Sequence, residues 1–147
     1  KYMIFRRGHQ ILCGLLALLP LHGVLSAAGA YVSPESIDGA TVINAEQLIE
    51  LAGSQADLVI VDSRIREDRE EGYIEGSRHL LDRDTNCASL SGLLPGKVTP
   101  VVFYCNGISC DRSDRAVVTA LGCGYTSIYW FRGGIEEWRE KNFPLIH

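Results

Sequence analysis

The run Val101-Val102-Phe103-Tyr104, followed at once by Cys105, limits the fold more than any other stretch of this chain. Four strand formers in a row, with no polar alternation, describe a strand buried on both faces, as in a parallel sheet. A polar loop follows, Asn106-Gly107-Ile108-Ser109-Cys110-Asp111-Arg112. A helix is then expected from about Ser113 to Leu121, with Ala116, Val117, Ala120 and Leu121 on its apolar face. A strand–loop–helix unit of this kind sets its loop at the carboxyl edge of the sheet, where α/β proteins build their sites. Leu58-Val59-Ile60-Val61 repeats the pattern and runs into Asp62-Ser63-Arg64.

The segments between these strands alternate with them. Asn44 reads as a helix cap, with Gln47 completing a capping box, and Ala45, Leu48, Ile49 and Ala52 follow at helical spacing up to Gly53. Arg66 to Glu71 reads as a short solvated helix closed by Gly72. His79-Leu80-Leu81 reads as a short strand, and residues 84–94 as a loosely patterned helix. Ser127-Ile128-Tyr129-Trp130 is expected to form a last strand, and Ile135 to Lys141 a last helix carrying Trp138. Strand and helix in turn give an α/β class with a mainly parallel sheet. Tyr129, Trp130 and Trp138 are read as packing of that final strand and helix.

Residues 1–30 look different. Lys1, Arg6 and Arg7 make a basic start, Ile11 to Leu21 is an apolar run, and Ala28-Gly29-Ala30 has the small-x-small form of a cleavage site. The run falls short of the about 20 residues that a spanning helix needs. A signal peptide removed after Ala30 is therefore expected, with an uncleaved N-terminal anchor as the alternative. Either implies an exported protein, in a bacterium a periplasmic one. Residues 31–39 form a polar lead-in and 40–147 one domain. The chain's formal charge is −4, and the three basic residues of the first thirty leave −7 on the remaining 117 residues. An acidic domain without a basic stripe is a poor partner for nucleic acid. No membrane contact is expected beyond the anchor alternative, and the oligomeric state stays open.

Cys105 is the candidate nucleophile. A thiol where loop amides and a helix N-terminus converge is favoured as thiolate. The N–H groups of Asn106, Gly107, Ile108, Ser109, Cys110 and Asp111 are expected to curve around the sulfur, and Ser113 to cap the following helix. Arg112 has two readings: a planar fork for the oxygens of an anionic substrate, or a surface partner of Asp111 or Asp114. Arg115, further into the helix, reads as a surface residue. Cys110 is a candidate resolving thiol for Cys105, or else a loop residue whose amide matters more than its sulfur. Cys87 and Cys123 read as core residues, with a bond between them left open because sequence does not give connectivity. There is no C-x-x-C, and only His79 and His147 follow residue 30, so neither a metal nor a cofactor is expected.

Four segments in order carry a family likeness. They are Val59-Ile60-Val61-Asp62-Ser63-Arg64, Gly72-Tyr73-Ile74-Glu75-Gly76-Ser77, Phe103-Tyr104-Cys105, and Arg132-Gly133-Gly134-Ile135-Glu136-Glu137-Trp138 with Phe143-Pro144-Leu145 after it. Together they resemble the rhodanese (thiosulfate sulfurtransferase) family in its single-domain form. The loop resembles an exported variant that begins Tyr-Cys-Asn-Gly and holds a second cysteine. It is longer than the family's common form, with Arg112 seven positions after Cys105.

The resemblance implies a three-layer sandwich: a mainly parallel sheet of about five strands with helices on both faces. It implies that Cys105 carries sulfur as a persulfide, taken from a small anionic donor such as thiosulfate and passed to a thiol or cyanide. Residues 106–113 would bind the substrate, and Asp62 and Arg64 would organise the surrounding loops. Three alternatives stand beside this: a phosphatase or arsenate reductase on the same fold, to which a longer loop ending in Arg also belongs; a dithiol redox protein using Cys105 and Cys110; and a non-catalytic binding module.

Overall fold

Five short strands line up in parallel in a computed structural model that describes residues 29–147; the targeting segment expected at 1–30 lies, but for its last two residues, outside the described residues. They are β1 (Ala40–Ile43), β2 (Val59–Asp62), β3 (Arg78–His79), β4 (Val101–Tyr104) and β5 (Ile128–Phe131), in the order β1-β5-β4-β2-β3. The helices between them are α1 (Ala45–Ser54), α2 (Arg66–Glu70), α3 (Cys87–Leu93), α4 (Arg112–Gly122) and α5 (Gly134–Glu140), with one 3-10 turn at Asp82–Asp84. Among the described residues no helix is long and apolar enough to cross a membrane.

The central strand shows why the continuous apolar runs were informative. All four residues of β4 are buried. Val101 and Phe103 point into a core shared with Leu90, Ala116 and Val117 of α3 and α4, while Val102 and Tyr104 point into a second core with Leu48, Ile135 and Trp138 of α1 and α5. A strand that feeds two cores needs apolar residues at every position rather than every second one. The result is the expected three-layer α/β arrangement, helices on both faces.

Several boundaries differ from expectation. β1 has no counterpart in the sequence reading: it is an edge strand, paired only with β5, and Thr41 and Val42 are exposed. α1 is capped by the Asn44–Gln47 box but runs through Gly53 to Ser54, because Gly53 faces open space and meets no obstacle. α2 is not merely solvated, since Arg69 reaches inward to Asp62.

Cys87 and Cys123 are not core residues. Cys87 is exposed, Cys123 half-buried, and the two form a disulfide between the start of α3 and the end of α4, 36 residues apart. Closing a loop of that length in the unfolded chain is worth about 2–4 kcal/mol. The Cys87→Ala/Cys123→Ala double variant is therefore expected to melt about 10 °C lower than the oxidised protein. Calorimetry in the presence and absence of a reductant checks this, and the variant should be insensitive to the reductant.

Candidate active site

β4 ends one residue before Cys105, whose side chain follows Val101 and Phe103 onto the face covered by α4. Its sulfur is completely buried. Ser113 lies in the first turn of α4, and its hydroxyl donates to Cys105 Sγ at 3.1 Å. The Ser113 N–H also favours charge on that sulfur. Ser113 is thus inside the helix and turned onto the thiol, rather than capping it; Asp111 occupies the cap position without a side-chain cap bond.

The Ser113 hydroxyl has one proton, and its direction is set from behind. Trp130 on β5 donates its indole Nε1–H to Ser113 Oγ at 3.0 Å. With that lone pair occupied, the Ser113 proton is directed at the sulfur. Trp130 is fully buried, as packing requires. Its role in a Trp–Ser–Cys chain was not visible in sequence, because the hydrogen bond joins residues 17 apart on different elements.

The loop folds back on itself. Cys110 N–H bonds the Gly107 carbonyl at 3.0 Å, a turn that brings Cys110 over Cys105. The Cys110 carbonyl lies 3.3 Å from Cys105 Sγ. The Arg112 guanidinium reaches the Cys110 sulfur at 3.6 Å. Arg112 thus turns to Cys110 while Ser113 turns to Cys105. Arg112 pairs with Asp82 at 3.8 Å, not with Asp111 or Asp114. Arg115, half-exposed, holds Asp82 at 2.6 Å and also pairs with Asp111. Ile108 and Ser109 form the exposed tip.

Both site cysteines are free thiols. Their hydrogen bond splits their acidities. Cys110 is pushed down to about 6, first by the Cys105 thiol, against burial, with the Arg112 and Asn106 amides and the Arg112 side chain assisting. Cys105 is pushed up, first by that same contact and then by burial, with Ser113 pulling the other way. The pair releases one proton readily and the second with difficulty. The arrangement favours charge on Cys110 over Cys105.

Outside the loop, the supports are backbone. The first free N–H groups of α5 are used on it: Ile135 N–H bonds the Cys105 carbonyl at 3.0 Å and Glu136 N–H the Asn106 carbonyl at 2.8 Å. That approach is why a glycine precedes them. Gly134 has φ +56°, and a Cβ there would overlap the Cys105 carbonyl. On the other side, Asn106 Nδ2 donates to Asp68 Oδ2 at 2.7 Å, tying the loop to α2.

Asp62 and Arg64 sit across the sheet from the thiol. The Asp62 carboxylate accepts from Arg64 Nε (2.9 Å) and Nη2 (2.8 Å), from Arg69 Nη1 (2.9 Å) and from the Tyr104 hydroxyl (2.8 Å). Arg64, 1 % exposed, goes on to the carbonyls of Asp68 (3.0 Å) and Gly72 (2.9 Å). Burial opposes the charge on Asp62, but the Arg64 guanidinium and the Tyr104 hydroxyl outweigh it and hold the carboxyl below the usual range. The network binds the end of β2 to α2 and the Gly72–Ser77 turn, and meets the thiol loop through Asp68.

The lead-in takes part too. Ser33 N–H bonds the Ile108 carbonyl at 2.7 Å, and Arg132 holds the Pro34 and Ser33 carbonyls at 2.6 and 2.8 Å. Tyr31 hydrogen-bonds the Asp114 carboxylate. Nothing in the composition of residues 31–39 marked them as a clamp on the loop. A cleft of about 460 Å³ between α2 and β3 includes none of the loop.

Residues 44–141 match the rhodanese-like domain family, and the chain belongs to it. The uncharacterized protein YibN of Escherichia coli (strain K12) is 29% identical over 94 residues, which are 63% of this chain and 64% of YibN. The chain thus aligns with less than two thirds of that relative's length. Two solved structures share the fold. The thiosulfate sulfurtransferase from Pseudomonas aeruginosa superimposes with a TM-score of 0.60 at 22% identity, over 74% of this chain and 20% of that one. The human single-domain sulfurtransferase TSTD1 gives 0.57 at 24% identity, over 69% and 97%.

Proposed function

We propose that this protein is a sulfurtransferase that carries sulfane sulfur as a persulfide on Cys105. The observation that carries this reading is the position of Cys105 at the carboxyl end of β4, with its sulfur accepting from the Ser113 hydroxyl at the N-terminal turn of α4. Two structural neighbours named as sulfurtransferases support it. In this reading the Cys105 proton passes to the Cys110 thiolate, and the Cys105 thiolate attacks the outer sulfur of thiosulfate. The S–S bond of the donor breaks, sulfite leaves with its electron pair, and Cys105 is left as a persulfide anion. The Ser113 donors face that charge, and Arg112, 30% exposed beside Cys110, meets the incoming anion. A thiol or cyanide then takes the outer sulfur.

An oxyanion-transfer enzyme would direct its loop amides at a tetrahedral group. Here the Cys110 amide is used within the loop on the Gly107 carbonyl, and the Arg112 guanidinium lies on the Cys110 sulfur, which favours sulfur chemistry. The Cys87–Cys123 disulfide supports an exported location, since such bonds persist in oxidising compartments.

Intact mass spectrometry after incubating the reduced protein with thiosulfate tests the reading. A one-sulfur adduct is expected, removed by cyanide and missing from Cys105→Ser. An adduct that survives Cys105→Ser would overturn the assignment.

A further inference from the structure

We propose that Cys110 discharges the Cys105 persulfide within the loop, releasing sulfide and leaving a Cys105–Cys110 disulfide. The inference rests on the Cys105 persulfide reading and adds to it a second activity and a second product.

Three features place Cys110 for this step. The Gly107–Cys110 turn, closed by a 3.0 Å backbone hydrogen bond, folds residue 110 back toward Cys105. The Cys110 backbone is in contact with the Cys105 sulfur, at 3.3 Å from its carbonyl. Both cysteines are buried, at 0% and 8% exposure, so a persulfide formed there lies in the same loop pocket as the second thiol and largely away from water. The Arg112 guanidinium at 3.6 Å favours Cys110 as thiolate when it attacks. The two remaining described cysteines are already bonded to each other and cannot compete.

The step balances without an outside oxidant. Cys110 sulfur attacks Cys105 Sγ, the inner sulfur of the persulfide. A new Sγ–Sγ bond forms as the Sγ–S bond breaks, and the outer sulfur leaves with the electron pair. The Cys110 proton goes to that leaving sulfur, so a persulfide anion and a thiol become a disulfide and HS⁻. The sulfane sulfur is reduced by two electrons, and the two thiols are oxidised by two. Turnover then needs a thiol or dithiol reductant to reopen the pair. With an acceptor in excess the persulfide is emptied outward instead, so the same site would either transfer sulfur or reduce it.

The test is a single turnover on the full chain with Cys105 and Cys110 reduced and the Cys87–Cys123 bond intact, with thiosulfate and no cyanide or added thiol. The wild type is expected to release one sulfite and one sulfide per chain, lose two titratable thiols, and give a Cys105–Cys110 cross-linked peptide. Cys110→Ser is expected to stop at the one-sulfur adduct with no sulfide. Loading of this variant is expected to be slower, because Cys110 is the proton acceptor of the loading step, so the adduct is read after prolonged incubation. A wild type that keeps its adduct and releases no sulfide overturns the inference while leaving the sulfurtransferase reading in place. So does sulfide release that is unchanged in Cys110→Ser. No adduct on Cys110→Ser and no sulfite from the wild type would overturn both.

Discussion

Asp62→Asn is expected to destabilise the domain by about 3–5 kcal/mol, the range for removing one partner from a buried ion pair. Arg64 is 1 % exposed and donates two side-chain hydrogen bonds to the Asp62 carboxylate, so the variant leaves a buried guanidinium without a counter-charge. Arg69 and the Tyr104 hydroxyl lose the same acceptor. The change also has a pH signature. Because the folded Asp62 carboxyl lies below its unfolded value, its contribution is present above the ordinary carboxylate range and is lost as pH falls through the folded value. Urea unfolding at neutral pH should show the full loss, and the acid limb of the stability curve should be flatter in the variant. A loss below about 1 kcal/mol, the scale of an exposed pair, would mean that the network is solvated.

Ser113→Ala is expected to slow the loading of Cys105 by about 10- to 100-fold, since a hydrogen bond to a charged group is worth about 1.5–3 kcal/mol. The hydroxyl touches the reacting sulfur, and the variant removes the one side chain that favours a Cys105 thiolate. The pH profile of loading should shift upward, because Cys105 becomes still harder to ionise. Ser113→Thr keeps the hydroxyl and should restore most of the rate. Trp130 is a positioning residue, acting through Ser113. Trp130→Phe should lose about 2- to 10-fold, the worth of a neutral hydrogen bond, and shift the profile in the same direction. A Trp130→Phe variant that only loses stability, with its profile unmoved, would reduce the indole to packing.

How much of this was legible in the sequence follows from what each residue depends on. β2, β4 and β5 sit in the middle of the sheet, and burial on both faces wrote itself as unbroken apolar runs. β1 is an edge strand with two exposed residues of four, so it carried no such pattern. Cys105 was conspicuous because a strand delivered it into a polar loop. The orientations around it were not. Whether a tryptophan packs or donates, and whether a serine caps or turns inward, depends on neighbours that only the folded chain brings together. The Cys87–Cys123 pairing belongs to the same class, since connectivity is a property of three-dimensional proximity.

The segment from Tyr31 to Pro34 lies before the stretch shared with the family, which begins at residue 44. Yet it holds the Ile108 carbonyl, the Asp114 carboxylate and, through Arg132, the turn that leads into α5. How often the sealed sulfur opens to a reactant is therefore governed partly by residues outside the matched stretch 44–141. A version trimmed to residues 44–141 would keep both site cysteines and exchange them with solvent on a different clock.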